Sequence, residues 1–462
     1  MTALKNRSFR ARTSPEDFLA GAKETAEWIR SQEVRTENGS YWQPHPSMKG
    51  EGQIDLMHGS AGILLFFIQL ADAAQDGSYL EDAKRGAEYI VWQLKTYGLT
   101  HLQSGMKRAH YREGTKFTVV SGGSAGIAYA LTELSRVAPD RACTDLAQWI
   151  AEEIVKNAVP VPGGIAWSRK SGFNFDAGTA LYLLYAAKAY GRPEWIRTAT
   201  AALDAILETG TEALTGGVRY TGLTNMVRIM EGIEDDSFDL PNFCYGSAGI
   251  GYAFARAYQA SGEKKYLDAA VNAARYLEGI AEVDGDAALT PYRLPDLENV
   301  HYLSNCHGIS GVIRLFYLLY DITGEQEFYD WIRKYIRGFE ATGAPELHSN
   351  GYWNCFSFCC GPAGYADMFS AIYLKFRDPR DLSLAERCAS VILSEAHAEE
   401  RGISWYQAFK RIDPADVTRE IGYYSGAAGI GAALTQVYLA GREKAPAFRL
   451  LEEPYLKREE TA

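Results

Sequence analysis

Basic charge is in short supply in this chain. Its 462 residues carry 47 lysines and arginines against 58 aspartates and glutamates, a formal net charge of −11. Nucleic acids and anionic membrane surfaces demand a basic footprint, so neither is an expected partner. Long apolar runs are missing too: none reaches the ~20 residues that span a bilayer, so no integral membrane segment is expected. The opening stretch, Met1 to Pro15, is polar and basic and lacks the apolar core and cleavage site of a secretory signal; the expected compartment is the cytoplasm. Cysteine is sparse and odd in number, seven residues at 143, 244, 306, 355, 359, 360 and 388, which does not read as a disulfide framework.

What the chain does have is repetition. A small-residue motif recurs seven times: HGSAGI from His58, GGSAGI from Gly122, DAGTAL from Asp176, YGSAGI from Tyr245, HGISGV from His307, CGPAGY from Cys360 and SGAAGI from Ser425. The spacing is roughly 60 residues, a period typical of repeat architectures. Each copy opens an apolar stretch of helical periodicity, as in Ile63 to Ala74, Ile250 to Ala260 and Val312 to Ile322. Being apolar nearly all round, these helices should be buried. Between the copies lie amphipathic helices rich in Glu, Lys and Arg, among them Leu80 to Tyr97, Lys264 to Val283 and Leu384 to Ala396. A first one, Ser14 to Ser31, precedes the first motif and starts on Ser14-Pro15-Glu16, a good helix opening. Short Gly-aromatic stretches precede most motifs, such as Gly39 to Trp42, Gly164 to Trp167, Gly351 to Trp353 and Gly402 to Trp405.

Seven apolar helices inside and seven polar-faced helices outside predict an all-α protein, an α/α toroid of seven helical hairpins in a single domain over 1–462. An open array would need polar end caps, and the first and last motifs are as regular as the middle ones, so the ring should close. Closure brings all seven motifs to one mouth, with backbone N–H groups directed there.

Three consecutive motifs place cysteine at or just before the glycine: Cys244-Tyr245-Gly246, Cys306-His307-Gly308 and Cys359-Cys360-Gly361. Cys143 and Cys388, on outer helices, and Cys355 read as small buried hydrophobes. The three adjacent repeats read differently, because thiolates and imidazole at one mouth are soft ligands suited to zinc, with three protein ligands and one open position.

At these residues the chain resembles the lanthionine synthetase C-like cyclases. Their fold is a seven-repeat α/α toroid with zinc at the mouth, a Cys-(Tyr/His)-Gly motif in repeat five, and a Cys-His-Gly or, in some members, Cys-Cys-Gly motif in repeat six. Counted from Gly59, this chain has Cys306-His307-Gly308 in repeat five and Cys359-Cys360-Gly361 in repeat six. The resemblance, which covers nearly the whole chain, implies zinc held by Cys306, Cys359 and Cys360. A second register, Cys244 followed by Cys306 and His307, also mimics the pattern; it leaves two motifs after the second ligand set where the family has one, so the repeat count favours the first.

The chain also departs from the family. The repeat-four histidine, an acid/base in the family, is replaced by Tyr245; the repeat-three aspartate falls on Asn174, with Asp176 the nearest acid; the arginine ahead of the repeat-five cysteine is replaced by Tyr302. His307 and Tyr245 are then the candidate proton donors, Asp176 an orienting or relaying group, and His58 a further mouth-facing candidate.

The activity the resemblance implies is addition of peptide cysteine thiols to dehydroalanine or dehydrobutyrine, forming thioether rings in a dehydrated precursor peptide. A separate dehydratase must supply the alkene, since the chain has no room for one. The acidic stretch Glu231 to Asp239 is a candidate peptide contact. Two other readings stay open: addition of glutathione or another small thiol to dehydroamino acids, and a metal-free peptide-binding toroid.

Overall fold

The structure is a computed structural model that describes residues 14–50, 52–99, 102, 118–170, 172–225, 237–296, 299–347, 355–409 and 415–458. The acidic stretch 231–236 and the Gly351 to Trp353 segment lie outside these residues.

Each motif starts a helix. The inner helices are Ser60–Ala74, Ser124–Val137, Asp176–Ala189, Ser247–Ser261, Ile309–Thr323, Pro362–Phe376 and Ala427–Gly441. The outer helices are Pro15–Ser31, Ser78–Tyr97, Arg141–Lys156, Glu194–Leu207, Lys264–Ile280, Gln326–Ala341 and Pro379–Ser394. The inner ones are buried almost all round, Ile63 through Phe67 having no exposed surface, whereas the outer ones bury one stripe. The helix expected from Leu384 begins five residues earlier, because Pro379 fits the first turn and the Asp378 carboxylate accepts the Arg380 N–H.

Neighbour relations define a closed ring. Every inner helix packs on the next inner helix, and Ala427–Gly441 packs back on Ser60–Ala74. Each inner helix also packs on the outer helix that follows it, and the last pairs with the first outer helix, Pro15–Ser31. The molecule is therefore an α/α toroid, closed between its first and last repeats. His58 sits on that seam: its Nδ1 lies 2.9 Å from Ser425 Oγ and 3.9 Å from a Glu420 carboxylate oxygen.

The Gly-aromatic stretches form short antiparallel ribbons after the outer helices, such as Val34–Thr36 with Gly39–Tyr41 and Val159–Val161 with Gly164–Ala166. Their tryptophans repeat one device. The indole N–H of Trp42, Trp167 and Trp405 donates to the carbonyl of Ile29, Ile154 and Ile392, at 2.9, 2.8 and 2.8 Å. Each bond ties the ribbon to a carbonyl in the last turn of an outer helix, where intrahelical donors run out.

A glycine in the first helical turn of each motif lets the preceding loop fold back over that turn. A Cβ at Gly311 would stand 2.2 Å from the Asn305 carbonyl oxygen, and one at Gly364 would stand 2.3 Å from that of Phe358. No side chain fits there. The loops so held are stapled to one another around the mouth: the N–H of Cys244 donates to Cys306 O (3.1 Å), Asn305 to Cys359 O (3.1 Å), Cys359 to Tyr424 O (2.9 Å) and Tyr424 to Met57 O (3.3 Å).

One feature lies outside the repeats. The C-terminal segment, through Phe448 to Tyr455, is buried inside the ring. Its backbone carbonyls at Arg449 and Leu451 accept hydrogen bonds from Tyr129 (2.6 Å) and Tyr252 (3.1 Å), and Tyr455 meets the Tyr317 ring edge-on at 5.0 Å.

Candidate metal centre and cavity

The stapled loops bring three thiols together. The sulfurs of Cys306, Cys359 and Cys360 all lie within 4.8 Å of one another, with Cys306 Sγ 3.7 Å from Cys360 Sγ. Cys306 is buried and the other two are half-buried, so the cluster has one protected side and one accessible side. The cluster could hold a metal ion. The other set, Cys244 with Cys306 and His307, forms no such group among the described residues.

The thiols do not share charge equally. Hydrogen bonds from Cys359 and Cys360, and then the neighbouring His307, hold the Cys306 pKa well below the ordinary thiol value despite burial. Their bonding to that thiolate pushes Cys359 and Cys360 well up. Burial, then the Cys306 charge, pushes Cys244 up as well, which leaves it a neutral thiol beside the cluster. Cys143 and Cys388 are buried far from it, and burial raises both, Cys143 to about 12. Cys355 Sγ lies 3.2 Å from Ser357 Oγ and 3.6 Å from Gln407 Oε1, in contact with polar partners rather than purely apolar ones.

The cluster opens on a cavity of 220 Å³ lined by His307, Tyr245, Asn174, Cys244, Arg314 and Glu452, among others. His307 stands among three tyrosine rings, with centroids of Tyr245, Tyr292 and Tyr302 at 5.4, 5.5 and 5.9 Å. Its Nε2 is buried without a hydrogen-bond partner among the described residues. Burial pushes the Tyr245 phenol well up, so it stays a proton carrier.

Asp176 is not among the lining residues. Its carboxylate accepts the backbone N–H groups of Trp167 (3.2 Å), Ser168 (2.8 Å) and Arg169 (2.9 Å) and the Ser168 hydroxyl (2.7 Å). It clamps the turn that leads to Asn174, whose N–H donates to Cys244 O at 3.0 Å. His58 is likewise absent from the lining.

Sequence reasoning does not find the two residues that bring an acid and a guanidinium to the lining, Arg314 and Glu452. Arg314 interrupts the apolar run Val312 to Tyr320, a visible oddity in a buried helix. Glu452 carries no such signal, because the burial of its segment follows from the closed ring and not from any local pattern.

The model of the family described as lanthionine synthetase C-like protein matches residues 115–341 and 306–450. Among solved structures, nisin cyclase is similar with a TM-score of 0.57 at 15% identity, over 85% of this chain and 93% of that one. A cellobiose 2-epimerase from Bacillus thermoamylovorans gives a TM-score of 0.47 at 11% identity, over 92% of this chain and all (100%) of that one. An alpha-1,6-mannanase from Salegentibacter sp. gives 0.45 at 12%, over 93% and 100%. Comparison with curated proteins gives no sequence match. No helix among the described residues is long and apolar enough to cross a membrane. The family model spans well over half of the chain, and the chain belongs to the lanthionine synthetase C-like family.

Proposed function

We propose that this protein is a zinc-dependent lanthipeptide cyclase, which adds cysteine thiols to dehydroalanine or dehydrobutyrine within a dehydrated precursor peptide made by a separate dehydratase. The observation that carries the reading is the sulfur geometry. Two sulfurs bonded to tetrahedral zinc at ~2.3 Å stand about 3.8 Å apart, and Cys306 and Cys360 stand at 3.7 Å. Cys306, Cys359 and Cys360 would hold the ion and leave a fourth position for substrate, the pattern of a catalytic site. Bound zinc supplies a lowered thiol pKa, so that a substrate cysteine is present as thiolate near neutral pH.

The residues of the chain account for the rest of the chemistry. The substrate sulfur bonds to the β-carbon, the C=C π bond breaks, and its electron pair moves toward the acyl oxygen as an enolate. The α-carbon then takes a proton, which balances the one lost by the thiol. His307 and Tyr245 both face the cavity, and either can deliver that proton. Asp176 acts at one remove in this reading, by fixing the turn that holds Asn174 against the Cys244 loop. The tyrosines around His307 and the buried walls limit water at the reacting carbon.

The test is a dehydrated peptide carrying free cysteines, incubated with the purified protein with and without glutathione, with products read by mass spectrometry after thiol alkylation. Intramolecular thioethers, which no longer alkylate, are expected. Adducts with glutathione alone would replace this reading by intermolecular thiol addition, and no adduct of either kind would leave the peptide-binding toroid.

A further inference from the structure

Four inner helices carry a polar residue at one equivalent position, six residues after the glycine that immediately precedes the helix: Tyr129, Tyr252, Arg314 and Asp367. Three of them receive the C-terminal segment. Tyr129 and Tyr252 donate to its carbonyls, and Asp367 accepts from the Arg449 guanidinium at 2.8 Å. Arg314 does not. It is 3% exposed, makes no hydrogen bond to any described residue, and its Nε is buried and unpartnered. Its guanidinium lies 5.0 Å from the Phe243 ring centroid and lines the cavity that holds the three thiols. Glu452 lines the same cavity; one of its oxygens accepts from Tyr424, the other is unpartnered, and it forms no ion pair with Arg314.

A guanidinium is charged at any working pH and presents five donors. The Glu452 charge nearby offsets the buried cation but accepts no hydrogen bond from it; donors left unpaired in a buried site are costly, and that cost is relieved when a ligand brings the acceptor. The position also fits. Arg314 is five residues into its helix, about 7 Å along the axis from the mouth end, and the thiols line the mouth side of the same 220 Å³ space.

We propose that Arg314 is the oxyanion-binding residue of this cavity, receiving the acyl oxygen of the dehydro-residue as negative charge develops on it. The proposal rests on the addition reaction argued above. In that reaction the S–Cβ bond forms, the C=C π bond breaks, and the electron pair passes through the α-carbon to the acyl oxygen, three bonds from the β-carbon attacked. Arg314 holds that oxygen through N–H donors and neither gives up nor gains a proton. The enolate collapses when the α-carbon takes its proton from another group. Fixed donors aimed at developing charge in a site shielded from water are among the largest contributions to catalysis.

The experiment separates anion binding from turnover. The zinc-loaded protein is titrated by calorimetry with 3-mercaptopropionate and with its neutral amide, 3-mercaptopropionamide. Wild type should hold the carboxylate about tenfold more tightly, a preference typical of one charge-assisted contact. Arg314→Gln should lose the preference and Arg314→Lys should keep part of it, with zinc content equal to wild type in both. With a dehydrated peptide, Arg314→Gln should lower kcat roughly 10²-fold with KM little changed, as for loss of an oxyanion donor. Equal affinities in wild type, or a preference kept in Arg314→Gln, would overturn the proposal. If Arg314→Gln does not fold, the wild-type ratio and the Arg314→Lys ratio decide it. A carboxylate preference in a wild type that forms no thioether would overturn the addition reading, and the enolate role with it, while leaving an anion site at Arg314.

Discussion

Arg449 and Asp367 form a buried ion pair: Arg449 Nη1 donates to Asp367 at 2.8 Å, with side chains only 3% and 4% exposed. The pair ties the C-terminal segment to the inner helix that begins one residue after Gly361. Breaking such a pair by removing one partner leaves a buried charge and costs about 3–5 kcal/mol. Arg449→Met is therefore expected to lower unfolding free energy by about that amount, read by urea denaturation. The variant Arg449→Met/Asp367→Leu should recover much of the loss. An Arg449→Met protein as stable as wild type would show that the segment does not hold the ring.

The same cluster sets a pH dependence. Burial, and the nearby Asp367 charge, push the Glu453 carboxyl well above its ordinary value, so the folded chain holds this proton to higher pH than the unfolded one. A raised folded pKa gives stability that is fully present below the unfolded value, near 4.5, and is lost as pH rises toward the folded value. Glu453→Gln keeps the shape without the titration. The variant should gain on wild type as pH rises above about 4.5, by at most ~1.4 kcal/mol per pH unit. Denaturation curves from pH 4.5 to 8 check this, and a constant difference across that range would refute it.

Much of this architecture is readable before any coordinates. The seven glycine motifs mark the starts of all seven inner helices, because only glycine fits where the preceding carbonyl lies against the first turn, as at Gly311 and Gly364. The regularity of the first and last motifs anticipates closure. The family resemblance, with the repeat count choosing between its two registers, points to Cys306, Cys359 and Cys360, and the loop staples show why they meet. The C-terminal segment is another matter. Tyr129 bonds to a carbonyl 320 residues away. No local period encodes such a contact; it exists only because the ring closes around a space that needs filling. Asp176 shows the same limit from another side: it stands out in the sequence as the acid nearest the family's repeat-three position, and its four hydrogen bonds to residues 167–169 leave no mark in the pattern.

That turn can be tested. The Asp176 carboxylate is fully buried and accepts three N–H groups and one hydroxyl. Asp176→Asn replaces one acceptor oxygen by a donor facing N–H groups, at a cost of about 2–3 kcal/mol. Zinc content should stay at wild-type level, because the loops of the three cysteines are also stapled to each other and to Tyr424, on the side away from this turn's contact at Cys244. Thermal unfolding beside metal analysis checks both halves. Loss of metal in a folded Asp176→Asn protein would show instead that this turn supports the metal site.

The metal centre makes the sharpest prediction about cysteines. The protein should purify with about one zinc per chain. Cys306→Ala, Cys359→Ala and Cys360→Ala should each bind it at least roughly 100-fold more weakly, since three ligands become two. Cys244→Ala should keep it, although its thiol lines the same cavity and its N–H is bonded to Cys306 O. Retention in Cys360→Ala with loss in Cys244→Ala would instead support the ligand set of Cys244, Cys306 and His307.

The last prediction links the repeat to the site. At Gly311 an added Cβ would meet the Asn305 carbonyl at 2.2 Å and the Phe243 Cβ at 2.7 Å. Neither can retreat freely. Asn305 donates its own N–H to Cys359 O and its side-chain amide to Phe358 O, and it immediately precedes Cys306. Gly311→Ala must therefore displace the loop that carries one metal-binding cysteine and is stapled to the loop carrying the other two. Overpacking of this kind costs about 1–3 kcal/mol, and here the displacement should also separate the sulfurs. A substitution that adds one methyl group, on a residue that touches no ligand, is expected to weaken zinc binding as well as stability. The equivalent change at Gly126 meets the Val120 carbonyl at 1.9 Å in a repeat without metal-site cysteines, so it should cost stability alone. Zinc titration of the two variants, each matched for folded fraction, distinguishes these outcomes.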